Sequence, residues 1–291
     1  MTTPTILPGL GTENWRGHVA PPQVRDQVIN LLVGGAPFAN SLTRDPTNRP
    51  SVAYPVASPT GFAWLAELQE FPKIDLADDA IVVAIKKLGG LIDLSNELVN
   101  DSSFNITAAL RQLLSDGLSR DLDLGLLHGS GEDNQPVGVL GNAPAVSGAD
   151  LLSAVSQAVG EIGDQGGTAN TIAASAAAFA EANSTTATDG QLVFPSGFAP
   201  AVGLTPVTVP ELATPLVYDN TRCYLVINGS DSEVAVSTDW RFNFDATSVR
   251  IKVRAAVAIP APARSIRKLE LAGREGRTAT PAKATPAKKA T

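Results

Sequence analysis

The stretch Asp101–Gly131, DSSFNITAALRQLLSDGLSRDLDLGLLHGSG, decides how the rest of the chain is read. Ile106, Leu110, Leu113, Leu114, Leu118, Leu122 and Leu126 recur at three- and four-residue steps, which makes one stripe of a helix. Arg111, Gln112, Ser115, Asp116, Ser119, Arg120 and Asp123 fall mostly on the opposite side, the expected solvent face. Asp101, Ser102, Ser103 or Asn105 can cap the start, and Gly129 and Gly131 supply a stop. A helix from Asn105 to His128 would be roughly 36 Å long at about 1.5 Å per residue. Gly117 and Gly125 each weaken it by about 1 kcal/mol relative to Ala, so tertiary packing must hold it.

The segments before this helix read as extended. Ser51 to Ala57 alternates, SPTG (Ser58 to Gly61) is a turn signal, and Phe62 to Phe71 is expected to return as the second strand of a hairpin. Asp79 to Leu94 is rich in Val and Ile and reads as β. Residues 1–50 are rich in Pro and Gly, with one short helix expected from Pro22 to Val33. Trp15, Ile29, Leu31, Leu32 and Phe38 are costly to leave in water, so this part is expected to be an arm lying on another surface.

After the helix comes a turn-dense GSGEDNQPVGVLGNAP. Asp150 then caps a second helix with Leu151, Leu152, Val155, Ala158, Val159 and Ile162 as its stripe. Ala173 to Ala182 is expected to be helical, and Leu216 to Asn228 a strand broken at Asp219-Asn220. In SVRIKVRAAVAIP, the residues Val249, Ile251, Val253, Ala255, Val257 and Ile259 point one way and Arg250, Lys252 and Arg254 the other, a strand with one buried face. The order of elements is α+β rather than alternating βαβ units.

The chain has 291 residues, 44% apolar and 18% charged, enough for a large core. It has no run of eighteen apolar residues and no basic segment ahead of a hydrophobic one, so neither a membrane span nor a signal peptide is expected. The single cysteine, Cys223, fits a reducing compartment and a packing role. The segment from Arg274 onward carries +4, which leaves −11 for residues 1–273 out of a total of −7. An acidic body disfavours nucleic-acid affinity over most of the surface. The polar Ala, Pro, Lys and Thr sequence after Leu271 does not support a fold.

Candidate chemistry is sparse. His18 and His128 sit in unlike contexts, and His128 ends the long helix, where a cation suits the helix dipole. No HExxH pattern is present, and the glycine clusters GSGEDN and GDQGGT lack the Lys-Ser/Thr of a phosphate loop. Ser175 is not in a GxSxG elbow. Asp121 and Asp123 read as a solvated face rather than a carboxylate pair. Neither an enzyme activity nor a cofactor is expected.

Several of these stretches combine into a resemblance. FAWLAE with Trp64 and Glu67, KKLGG (Lys86 to Gly90), LSNELVNDS, the long helix ending LGLLHGSG, QPVGVL, and VRIKVRAAVAIPAPARSIRKLE together resemble the major capsid proteins of tailed bacteriophages, with the Hong Kong-type capsid fold. The resemblance covers residues 50–147 and 216–271. It implies an N-terminal arm (1–48), an extended β-hairpin loop lying over a neighbouring subunit (49–75), and a peripheral domain with the long helix as its spine (76–147 and 231–271). It further implies an axial domain (148–230) and a flexible basic tail (272–291). Trp15, Phe38, Tyr54, Phe62, Trp64 and Glu67, from arm and loop, are the expected assembly residues.

The implied partners are copies of the chain itself in pentamers and hexamers, a portal, and decoration or minor capsid proteins. Double-stranded DNA would be enclosed and at most weakly contacted, with no membrane involved. The implied location is the virion, assembled in the host bacterial cytoplasm. Two departures shape the expectation. The first lysine is Lys73, at the base of the hairpin, so covalent cross-linking through the loop is not expected. The sequence ahead of the hairpin is too short for a built-in scaffolding region, so a separate scaffolding protein, or a mature chain, is expected. The alternative within the same fold is the shell of a bacterial nanocompartment with protein cargo.

Overall fold

The computed structural model describes residues 35–56, 63–72, 80–95, 106–186, 191–229 and 233–271. The expected helix from Pro22 to Val33, the tip at Ser58 to Gly61 and the basic tail lie outside these residues, as do Trp15 and Phe62.

The described chain begins with a short helix α1 (Pro37–Ser41) and strands β1 (Thr43–Thr47), β2 (Ser51–Pro55), β3 (Ala80–Ala84) and β4 (Lys86–Ser95). The spine helix α2 runs from Ile106 to His128, within a residue of expectation, followed by α3 (Val139–Asn142) and β5 (Ala145–Gly148). Next come α4 (Leu151–Asp164), β6 (Thr171–Ala174), α5 (Ala176–Asn183), α6 (Phe198–Ala201), β7 (Thr205–Thr208) and β8 (Leu216–Tyr218). The chain then continues through β9 (Tyr224–Asn228), β10 (Glu233–Arg241), β11 (Ala246–Ala258), α7 (Pro262–Ser265) and β12 (Ile266–Leu271). The mixture is α+β, as expected.

Two five-stranded sheets organise these elements. In the first, β11 is the central strand: β4 runs antiparallel along one edge, and β10 and β9 share the other. β1 adds to β9 in parallel. The second sheet has the order β5-β12-β8-β6-β7. Leu216 to Asn228 breaks as expected, because β8 belongs to the second sheet and β9 to the first. Two strands tie distant parts of the chain into these sheets. β9 pairs in the first sheet, and β12 pairs in the second. Neither crossing has a local signature, because it depends on which distant edge each strand meets.

One core joins α1, the C-terminal half of α2, the odd-numbered face of β11 (Val253, Ala255, Val257) and one face of the second sheet (Leu216, Tyr218, Ile266). Leu122, Leu126 and Leu127 of α2 are buried in it. A second core lies between the other face of the second sheet and α4, through Ile172, Val217, Leu269, Val155 and Ile162. Asp150 caps α4 as expected: its carboxylate accepts from Ser153 N at 2.7 Å, and the Ser153 hydroxyl accepts from Asp150 N. The expected Ala173–Ala182 helix is instead a strand through Ala174 and a helix from Ala176, with the Ser175 side chain capping the latter. β11 exceeds its reading as a one-faced strand. Ala256 and Ala258, on the even-numbered face, are buried with Val226 and Ile85 beneath β2 and β3.

The supposed solvent face of α2 needs correction. Ser119 and Asp123 are buried, and Asp123 is only 3% exposed. Its two carboxylate oxygens accept from Phe38 N and Ala39 N, each at 2.9 Å, so the side chain caps the first turn of α1. Burial raises its pKa from 3.8 to about 6, against the lowering effect of the two amides. His128 is also not the expected cation: partial burial lowers its pKa from the ordinary value, so the imidazolium contact with the helix dipole is disfavoured.

Candidate assembly surface

The hairpin forms with a different return strand. Ser51 to Pro55 pair with Ala84 to Ala80, not with Phe62 to Phe71. The base is therefore a ribbon of β2 and β3, and the described residues 63–72 fall in the connection between these two strands. The period-two signal in Phe62–Phe71 is weak, whereas Ala80–Ala84 carries Ile and Val in succession.

The ribbon is anchored by aromatic stacking. Tyr54 stacks on Tyr224 with ring centroids 5.4 Å apart, and its hydroxyl donates to Asp45 Oδ2. Burial, followed by that bond, raises the Tyr54 pKa above the ordinary phenol value. Val52 and Val83 pack with it over Ala256 and Ala258. Tyr54 thus fixes the base of the ribbon within its own chain. Phe38, only 1% exposed, is likewise internal: it meets Tyr218 edge-on at 5.8 Å, below a 2.5 Å hydrogen bond between the Ser41 and Tyr218 hydroxyls. Two of the expected assembly residues therefore organise the chain's own packing.

Beyond the ribbon, segment 63–72 stands in water. Trp64 and Leu68 are fully exposed and Phe71 is 82% exposed. Glu67 and Glu70 are exposed beside them. A turn closed by Gln69 N donating to Ala66 O at 3.1 Å holds Leu68 at φ +66°. A leucine in the left-handed region costs roughly 1–2 kcal/mol, and here the turn displays an apolar side chain outward. Leu68 and Phe71 were legible as apolar residues of the hairpin, but no periodicity separates them from core residues. Val82, Leu91 and Phe244 add further exposed apolar surface. Covering a side chain of this size is worth about 1.5–3 kcal/mol, and contiguous exposed apolar surface marks an interaction site.

Among the described residues, no three His, Cys, Asp or Glu side chains gather to hold a metal, and no helix is long and apolar enough to cross a membrane. Cys223 is buried, as expected, and burial pushes its thiol pKa up to about 12, which suits packing rather than nucleophilic chemistry.

Comparison with known proteins agrees with this geometry. A major capsid protein of Halomonas phage phiHAP-1 is 35% identical over 79 residues, a match covering 27% of this chain and 13% of that protein. A structure from Microbacterium phage Oxtober96 superposes with a TM-score of 0.65 at 18% identity, covering 81% of this chain and 90% of the other. The capsid of a native GTA particle gives a TM-score of 0.63 at 15% identity, covering 90% and 94%. The model of the phage capsid family matches residues 16–270, and the chain belongs to that family.

Proposed function

We propose that this chain is a phage major capsid protein that self-assembles through pentamers and hexamers into the closed icosahedral shell around double-stranded DNA. The observation carrying this reading is the projecting 63–72 segment, which holds Trp64, Leu68 and Phe71 in water on a strand-backed base. A second copy that covers these three side chains gains several kcal/mol per contact. Repeated head-to-tail contacts of one kind close into rings when the rotation allows. Glu67 lies among them and belongs to the same surface. The arm carrying Trp15 would add a second contact, a portal and a separate scaffolding protein would complete the head, and decoration or minor capsid proteins would be optional. Assembly takes place in the bacterial cytoplasm and requires no catalysis.

Replacing Trp64, Leu68 and Phe71 together with Ser tests the reading. Electron microscopy of the purified full chain should show shells for the wild type and only soluble capsomers or monomers for the variant. Intact variant shells would refute the assigned role of the projection. A wild type that stayed monomeric at high concentration, even beside its assembly helpers, would refute the function.

A further inference from the structure

Residues 121–221 contain eleven Asp or Glu and no Lys or Arg. They supply the last turns of α2, the whole of α4 and every strand of the second sheet except β12. Arg120 is the only Lys or Arg between Arg111 and Arg222, and it stands on α2 at the border of this anionic region. Its Nη2 donates to both carboxylate oxygens of Glu211, at 2.7 Å and 2.6 Å. Glu211 lies in the loop between β7 and β8, 91 residues further along the chain. The pair therefore ties the long helix to the second sheet.

Glu211 breaks a local rule to be there. It follows Pro210 in a turn and has φ +60°, a position where Gly or Asn is usual. The loop is pinned on either side of it. Val209 and Leu212 are buried in the core that holds Leu122 and Leu126, and Val209 N donates to Ala174 O at 3.0 Å. A conformation that the residue type disfavours, kept where its surroundings fix it, points to a role beyond the local chain. That role is not stability. Both side chains are more than half exposed, and an ion pair of this kind adds little to folding. The core beneath the pair is apolar, with Leu122 and Leu126 of α2 in one cluster with Leu216 and Ile266 of the second sheet. Apolar contact is non-directional, and packed helices slide by small shears at low cost. A polar tie at the rim of that contact selects one setting.

Resting on the self-assembly reading above, we propose that the Arg120–Glu211 pair sets the angle between α2 and the second sheet and, through it, the curvature of the shell. The two are positioning residues for assembly. The link is geometric. A contact repeated head to tail closes only at the rotation that its two faces impose. In a tile whose contacts lie on different parts, that rotation follows the angle between the parts.

The test is the diameter distribution of shells formed by the full chain, measured by electron microscopy beside the unfolding midpoint of the unassembled chain. R120A and E211A should leave the midpoint close to wild type and raise the share of off-size or unclosed particles about two- to fivefold, the weight of an exposed ion pair. R120E sets two carboxylates face to face and should raise that share about tenfold. R120E/E211R should bring it back to within about twofold of wild type, as a coupled pair requires. Ionic strength near about 1 M, where screening acts within about 3 Å, should broaden the wild-type distribution and leave that of R120A/E211A unchanged. The proposal is overturned if R120A, E211A and R120E all give wild-type diameters, or if the swap assembles no more uniformly than R120E. A lower midpoint with normal diameters would also overturn it, because the pair would then be a stabilising contact and nothing more. Each of these results leaves the self-assembly reading standing as long as wild-type shells form.

Discussion

In the second sheet, Ile172, Leu216, Val217 and Leu269 are sealed between α4 on one side and α1 with α2 on the other. In the 63–72 segment, Trp64, Leu68 and Phe71 have no such cover. Both regions are apolar, and hydropathy does not separate them. They differ in how many elements the same chain can bring to each. The second sheet has helices on both faces, whereas the projection is held only by a two-stranded ribbon at its base. The ribbon itself packs on β11, but among the described residues Trp64, Leu68 and Phe71 have no such backing. One region is complete in a monomer and the other is not.

Mutations should separate the two. In the sheet, Ile172→Ala removes a side chain touching α4 and should lower stability by about 2–5 kcal/mol, read by chemical denaturation of the unassembled chain. Equal loss from a truncation at Trp64 would erase the contrast. Asp123 probes the seam that closes the sealed region against α1. Its folded pKa of about 6 lies above the ordinary 3.8, so the folded state holds the proton more tightly. Its contribution is fully present below about pH 4 and is lost as pH rises through about 6, by up to about 3 kcal/mol. Denaturation midpoints measured across this window should show that slope, and Asp123→Asn should flatten it. An unchanged slope would mean that the carboxyl does not titrate there. A smaller effect is expected at the start of α4, where Asp150→Ala should cost about 1 kcal/mol. A cost near zero would show that tertiary packing alone fixes that helix.

Local signals were legible where they were strong. The leucine stripe placed α2 to within a residue, the Asp150 cap placed α4, and the Asp219-Asn220 break separated β8 from β9. Asp219 is held there by local bonds, accepting from Thr221 N and Oγ1, and by one long-range bond from Asn170 Nδ2. The failures are non-local. Asp123 looked solvated because its partners, Phe38 and Ala39, lie more than eighty residues away. The return strand was misplaced because a connection as long as 56–79 is uncommon and a nearer partner was preferred. Phe38, Tyr54 and Trp64 are alike in composition, yet two are internal and one is exposed. Only the tertiary arrangement distinguishes them.

β12 lies inside the second sheet, between β5 and β8, although it is the last strand described. Until residue 271 has left the ribosome, that sheet has an open slot with unpaired amides and carbonyls on either side. A nascent chain therefore cannot close this sheet until that strand has been made. A product stopped before Ile266 should be cleared or aggregate rather than enter a particle as a defective tile.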